Sequence, residues 1–121
     1  MQIFKVLTTK QWDEIQREGW FKGAPVDIAD GYIHFSTAAQ LPETLAKHFA
    51  GLTGLVLAAT EIEALDDALK WEPSRGGDLF PHLYRVLFLA EVAWAEPLIL
   101  GTDGRHVLPA RVTAGHGSAA A

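Results

Sequence analysis

Side chains able to do chemistry are concentrated in two short stretches of this sequence. The first, DGYIHFST at residues 30–37, carries Tyr32, His34, Ser36 and Thr37. The second, WEPSRGGDLFPHLY at residues 71–84, carries Glu72, Arg75, Asp78, His82 and Tyr84. Aromatic residues are interleaved in both, and glycines and prolines fix the backbone of the second. Ligand pockets combine an apolar lining with a few placed polar groups, and both stretches have that mixture. Strand ends far apart in sequence can meet in space, so one shared pocket is expected.

Each candidate has two readings. The imidazole of His34 can hold a ligand hydroxyl, move a proton or ligate a metal. Equally, it can be a core histidine satisfied by a backbone carbonyl or by Ser36. His82 offers the same chemistry, or packs on Pro81 at a strand start. Glu72, between Trp71 and Pro73, is a carboxylate held beside a bulky ring or a surface group paired with Arg75. Arg75, just before Gly76 and Gly77, can grip a phosphate or carboxylate with help from glycine amides, or form a surface ion pair. Tyr32 and Tyr84 can stack on a flat ring or seal a core edge. His48 reads as a boundary residue of a helix. His34, His82 and Glu72 contain the donors of a facial metal triad, but their spacing matches no ligand signature, so no metal is expected. Nucleotide cradles of the GxGxxG and GxxxxGK[ST] kinds are absent, as are GxSxG and HExxH.

The elements that must position these groups follow from periodicity and punctuation. IFKVLT alternates as a strand, with Ile3, Lys5 and Leu7 on one face. Thr8 or Thr9 should cap a helix that carries Trp12 and Ile15 inward and stops at Gly19. FKGAPVDIADG reads as a loop, and YIHFST as a second strand. Thr37 and Gln40 have capping-box spacing. Pro42 leaves two readings, a helix from Ala38 with a distorted first turn or, the favoured one, a turn followed by a helix with Pro42 at its first position. Leu41, Leu45, Phe49 and Leu52 should be its buried stripe. GLVLAATEI is a nearly continuous apolar run, expected as a central strand covered on both faces. EALDDAL is a polar connection, KWEPS a short strand, HLYRVLFL and AEVAWAEPLIL longer ones. Asp103-Gly104 predicts a turn into a terminal hairpin with HVLP. Two early helices followed by about five to seven strands indicate an α+β domain with a mixed or antiparallel sheet. One globular domain is expected over residues 1–112, and a mobile tail over 113–121.

Composition narrows the function classes. The chain has 121 residues, of which 49% are hydrophobic and 21% charged, and no cysteine. Disulfides and thiolate chemistry are excluded, and a reducing cytoplasm is the expected setting. The N-terminal segment lacks the basic-then-apolar pattern of a signal peptide. No apolar run approaches the length of a membrane span. A formal net charge of −5 repels phosphate backbones, so nucleic-acid binding is not expected, although a small local basic pocket escapes that argument. A small-molecule ligand is the expected partner; the oligomeric state is not legible.

At DGYIHFSTAAQLP and WEPSRGGDLFPHLYRVL the chain resembles a family of small, mostly bacterial proteins without an established activity, domain of unknown function 952. The likeness runs from IFKVLTTKQWDEIQREG to AWAEPLILGTDGRHVLP. The resemblance implies an ADP-ribosyltransferase-like fold, a split antiparallel sheet with helices. It also implies NAD or a related nucleotide as substrate, with no cofactor required. In that superfamily a histidine at a strand end, followed by small or hydroxyl residues, holds a ribose hydroxyl. His34 stands in that place, with Ser36 and Thr37 after it. A later strand supplies an aromatic group or second histidine near the nicotinamide, a role for His82 or Tyr84, and Arg75 would contact the pyrophosphate. Glu72 would stabilise developing positive charge, although it precedes the second motif where the superfamily's glutamate follows; Glu91 and Glu96 follow it here. The competing expectations are a ligand-binding domain without catalysis, and a structural or interaction domain whose polar residues pin loops.

Overall fold

The structure, a computed structural model, describes residues 1–112. The expected tail, 113–121, lies outside the described residues, and so does the side chain of Arg75.

Strands β1 (Gln2–Thr8) and β4 (Leu55–Glu61) pair antiparallel along their whole length, from Gln2 opposite Glu61 to Thr8 opposite Leu55. Strand β8 (Val92–Leu100) lies on the other side of β4, and the short β9 (His106–Val107) completes the order β1–β4–β8–β9. Both faces of β1 are covered. Ile3 and Leu7 pack with Ile15, Phe35 and Leu83, while Phe4 and Val6 pack with Leu41, Leu45 and Leu57. That double burial explains the unbroken apolar run of β4.

Helix α1 (Thr9–Glu18) starts as expected. The Thr8 hydroxyl accepts from the Gln11 amide at 3.1 Å, and the Gln11 side chain accepts from the Thr8 amide at 2.9 Å. Gly19, at φ 84°, ends it in the left-handed conformation that costs glycine least.

Residues 21–31 depart from the loop expectation. They contain the end of strand β2 (Trp20–Phe21) and helix α2 (Pro25–Asp30). Pro25 opens the helix, where its missing N–H would have had no partner. Asp27 then accepts from the Ala24 amide at 2.8 Å. Six residues are too few to show helical periodicity, so only the punctuation was legible.

Helix α3 (Leu41–His48) follows a turn as favoured, but Pro42 takes its second position rather than its first. Thr37 and Gln40 do bond reciprocally, at 3.0 and 3.3 Å, in the turn before it. Leu41 and Leu45 are buried, but Leu52 is 50% exposed and belongs to no stripe, because the helix has ended and the chain reverses at Gly51.

The second sheet has the order β3–β6–β5, from β3 (Ile33–His34), β6 (Leu79–Leu83) and β5 (Leu69–Pro73). The expected strand over HLYRVLFL is split. Its first residues finish β6, and Leu87–Phe88 form β7, which pairs with β2 instead. The break sits at Arg85, whose guanidinium donates to the Val86 carbonyl and to both oxygens of Glu91. Ser36 bridges to Phe4 with two backbone bonds of 2.8 and 2.9 Å, stitching the small sheet to β1. Every strand pairing among the described residues is antiparallel. The class is α+β with antiparallel sheets and few helices. Nine strands are present among those residues rather than five to seven; the excess are two-residue strands with no period to read.

Candidate functional site

Strand pairing brings the two motifs together. β3 and β6 place His34 directly opposite His82. Their ring centroids are 5.4 Å apart and inclined at 69°. Tyr32, in the turn after α2, stacks on His82 at 4.1 Å and 19°, and leans on His34 at 4.7 Å and Tyr84 at 5.2 Å.

Each imidazole is oriented through Nδ1 by a carboxylate. His34 Nδ1 lies 2.6 Å from Asp27 Oδ1, and its Nε2 lies 2.9 Å from Asp30 Oδ2. A ring between two carboxylates makes both bonds at once only when both nitrogens carry protons. Asp27 is buried and is the centre of this half. It also accepts from Lys5 Nζ at 3.0 and 2.9 Å and from the backbone amides of Ala24 and His34. Burial pushes the Asp27 carboxyl up, but the His34 bond and the Lys5 charge outweigh it and hold the group at about 2. Burial pushes the Lys5 ammonium down, and Asp27 opposes that shift.

His82 Nδ1 lies 2.8 Å from Glu72 Oε1, which also accepts from the Tyr84 hydroxyl at 2.7 Å. The Tyr84 bond, and then the His82 bond, hold the Glu72 carboxyl below its ordinary value. The same bond, with some burial, pushes the Tyr84 phenol up to about 12. Burial, with Asp30 and Glu72 nearby, raises that of Tyr32.

A cavity of about 540 Å³ opens beside the two rings. His34, His82, Lys5 and Ser36 contribute polar groups to its wall, against Phe35 and Phe80. Ser36 is buried and shares a hydrogen bond of 2.9 Å with Thr44. Glu72, Tyr32 and Tyr84 contact the histidine cluster without lining this cavity. Thr37 closes the turn before α3 and does not line it either. His48, read from sequence as a boundary residue, does line it. Glu72 bonds His82 and Tyr84; the alternative of a Glu72–Arg75 pair falls on a side chain outside the described residues.

Sequence reasoning missed Asp27, Asp30 and Lys5. One sign was available. Lys5 alternates onto the inward face with Ile3 and Leu7, and a buried ammonium requires a carboxylate partner. The partner lay in the segment read as a loop.

Among the described residues no group of three or more His, Asp or Glu side chains is arranged to hold a metal ion. No helix among them is long and apolar enough to cross a membrane.

The fold and this cluster define an α+β protein of antiparallel sheets with a histidine-lined cavity at the seam between two of them. Residues 6–95 match the family described as "Protein of unknown function (DUF952)", and the chain belongs to that family. It is similar to protein CC0527 from Caulobacter crescentus. The crystal structure of that protein is 46% identical, over 93% of this chain and 99% of that one, with a TM-score of 0.89. The solution NMR structure of CC0527 is 49% identical over 86% of this chain and 90% of that one, with a TM-score of 0.79. No curated protein matches the chain.

Proposed function

We propose that the cavity beside His34 and His82 is a small-molecule site, and that its ligand is NAD or a related nucleotide handled in the manner of the ADP-ribosyltransferases. The observation that carries this is the juxtaposition itself. Two histidines from distant motifs face each other on paired strands, each oriented by its own carboxylate, and both line one cavity. Side chains that merely pin loops have no need to share a cavity wall. The split antiparallel sheet, joined through the Phe4–Ser36 bridge, is in keeping with that superfamily. In this reading His34 holds a ribose hydroxyl, the His82 ring meets the base, and Tyr32, Tyr84 and Glu72 support His82. The absence of cysteine keeps a reducing cytoplasm as the proposed setting.

A second reading, binding without turnover, is favoured by one specific contact. Glu72 is occupied by His82 and Tyr84 and does not line the cavity. A carboxylate must reach the reacting carbon to stabilise an oxocarbenium-like centre. Thermal unfolding with millimolar NAD, AMP and nicotinamide tests the site, because a ligand of the native state alone must raise its stability. No shift with any of the three sinks the nucleotide reading. Where NAD binds, release of nicotinamide separates catalysis from storage or sensing.

A further inference from the structure

A second cavity, of about 460 Å³, runs along the other side of α1 and shares Thr8, Gln11 and Pro25 with the histidine cavity. The two therefore adjoin at these residues. Their positions are fixed, because Thr8 and Gln11 are locked together by the reciprocal bonds that cap α1.

The two spaces differ in charge. Around the histidines the fixed charges are three carboxylates, Asp27, Asp30 and Glu72, against Lys5, which Asp27 neutralises at 2.9 Å. Along α1 the wall carries Lys10, Arg17 and Lys22 with Glu14 and Glu18. Arg17 is held by Glu18 at 3.3 Å, but among the described residues neither Lys10 nor Lys22 is in an ion pair. Trp20, 42% exposed, lines the same groove and pairs with Phe88, 46% exposed, on the two-residue ladder. An indole in a groove with two ammonium groups that make no ion pair among the described residues suits a flat ring bearing an anion.

The groove also lies close to the Asp27 carboxylate. Gly23 lines the α1 groove at φ 121°, and a Cβ there would come within 2.7 Å of the Asp27 Cβ. The groove backbone thus packs directly on the carboxylate that orients His34.

We propose that the α1 groove is an anion subsite continuous with the histidine cavity. It takes the phosphate-bearing end of a ligand whose neutral or cationic end enters the cavity, with Lys10 and Lys22 meeting the phosphate and Trp20 stacking on an attached ring. The ligand class is a nucleoside phosphate. This rests on the small-molecule reading of the cavity for its other half only.

The experiment is titration of the 15N-labelled full chain with ADP. The Trp20 indole N–H and the amides of Lys10, Lys22 and Gly23 should move on one isotherm. The double variant Lys10→Ala/Lys22→Ala should weaken ADP about tenfold or more and flatten its salt dependence, since each lost contact removes a released counterion. Both lysines are exposed, so the melting temperature should hold, and a matched Lys47→Ala control on α3 should leave ADP binding unchanged. No movement at the groove with millimolar ADP, or equal affinity in the double variant, overturns the proposal. NAD distinguishes the two halves. Shifts in the groove without shifts at the His34 and His82 rings remove the histidine cavity as the neighbouring site and, with it, the spanning ligand. Ring shifts without groove shifts overturn the anion subsite alone.

Discussion

The two carboxylate–imidazole pairs look alike in connectivity and are opposite in burial. In the first, the Asp27 side chain is 0% exposed and His34 is 31% exposed. In the second, Glu72 is 38% exposed and His82 is 3% exposed. A carboxylate removed from water must be surrounded by fixed donors, and Asp27 has Lys5 and two backbone amides besides the ring. It is part of the framework, and it presents a half-open imidazole to whatever enters. Glu72 is open to solvent, and its bonds among the described side chains go to His82 and Tyr84. It sets the orientation of a ring that is already wall. The difference teaches that a shared hydrogen-bond pattern does not assign a shared role; the exposed member of each pair is the one free to respond to solvent or ligand.

Removing the carboxylates should break the likeness most sharply. Asp27→Ala leaves Lys5 buried without its partner, and uncompensated buried charge costs about 3–5 kcal/mol. Glu72→Ala removes a part-exposed carboxylate that keeps its access to water, and should cost less than Asp27→Ala. Urea denaturation of the two variants reads both values, and equal losses would end the distinction. Acid unfolding probes the same contrast. The Asp27 carboxyl lies at about 2 in the folded chain against an ordinary 3.8. A depressed carboxyl contributes stability that is present above its unfolded value and lost as pH falls through the folded one. For Asp27 that is on the order of 2 kcal/mol, disappearing between about pH 4 and about pH 2. Asp27→Asn should be less stable at neutral pH, lack this part of the acid limb and converge towards the parent near pH 2.

The imidazoles should rank the other way. His34→Asn keeps a donor near the Asp27 oxygen and removes a half-open ring, so its stability cost should be about 1 kcal/mol or less. His82→Asn deletes a buried ring from beneath Tyr32, and about 1–3 kcal/mol is expected. Ligand affinity should fall in both. A His34 variant that unfolds as readily as the His82 variant would return His34 to the framework.

How much of this was legible in the sequence follows from what each residue depends on. His34, His82, Tyr32, Tyr84 and Glu72 stood out because aromatic, imidazole and carboxylate groups crowd two short stretches, and strand pairing does bring those five together. The covered central strand was equally legible in GLVLAATEI, since burial on both faces leaves no room for alternation. Asp27 was not, because its role is set by a lysine 22 positions away and by a six-residue helix too short to show a period. The break after β6 was hidden for a similar reason. Arg85 continues the alternation of HLYRVLFL, and its partners at the break, Glu91 and Asp66, lie outside that stretch.

The smallest effect offers the cleanest reading of the second pair. The Tyr84 hydroxyl donates to Glu72 at 2.7 Å, so ionising the phenol would forfeit that bond and set a phenolate beside a carboxylate. This is why the phenol is pushed up to about 12. For an acid raised in this way, the stabilising contribution is present below its unfolded value near 10 and lost as pH rises through the folded one. Alkaline titration of the phenolate absorbance should resolve one tyrosine well above the ordinary range, and Glu72→Gln should bring it back towards 10. Tyr32 is raised chiefly by burial and reports on Glu72 only through space, so it should move less. A Tyr84 that titrates normally in the parent chain would mean that the Glu72 carboxylate spends its time with His82 alone or in solvent. The second pair would then be looser than the first by more than burial requires.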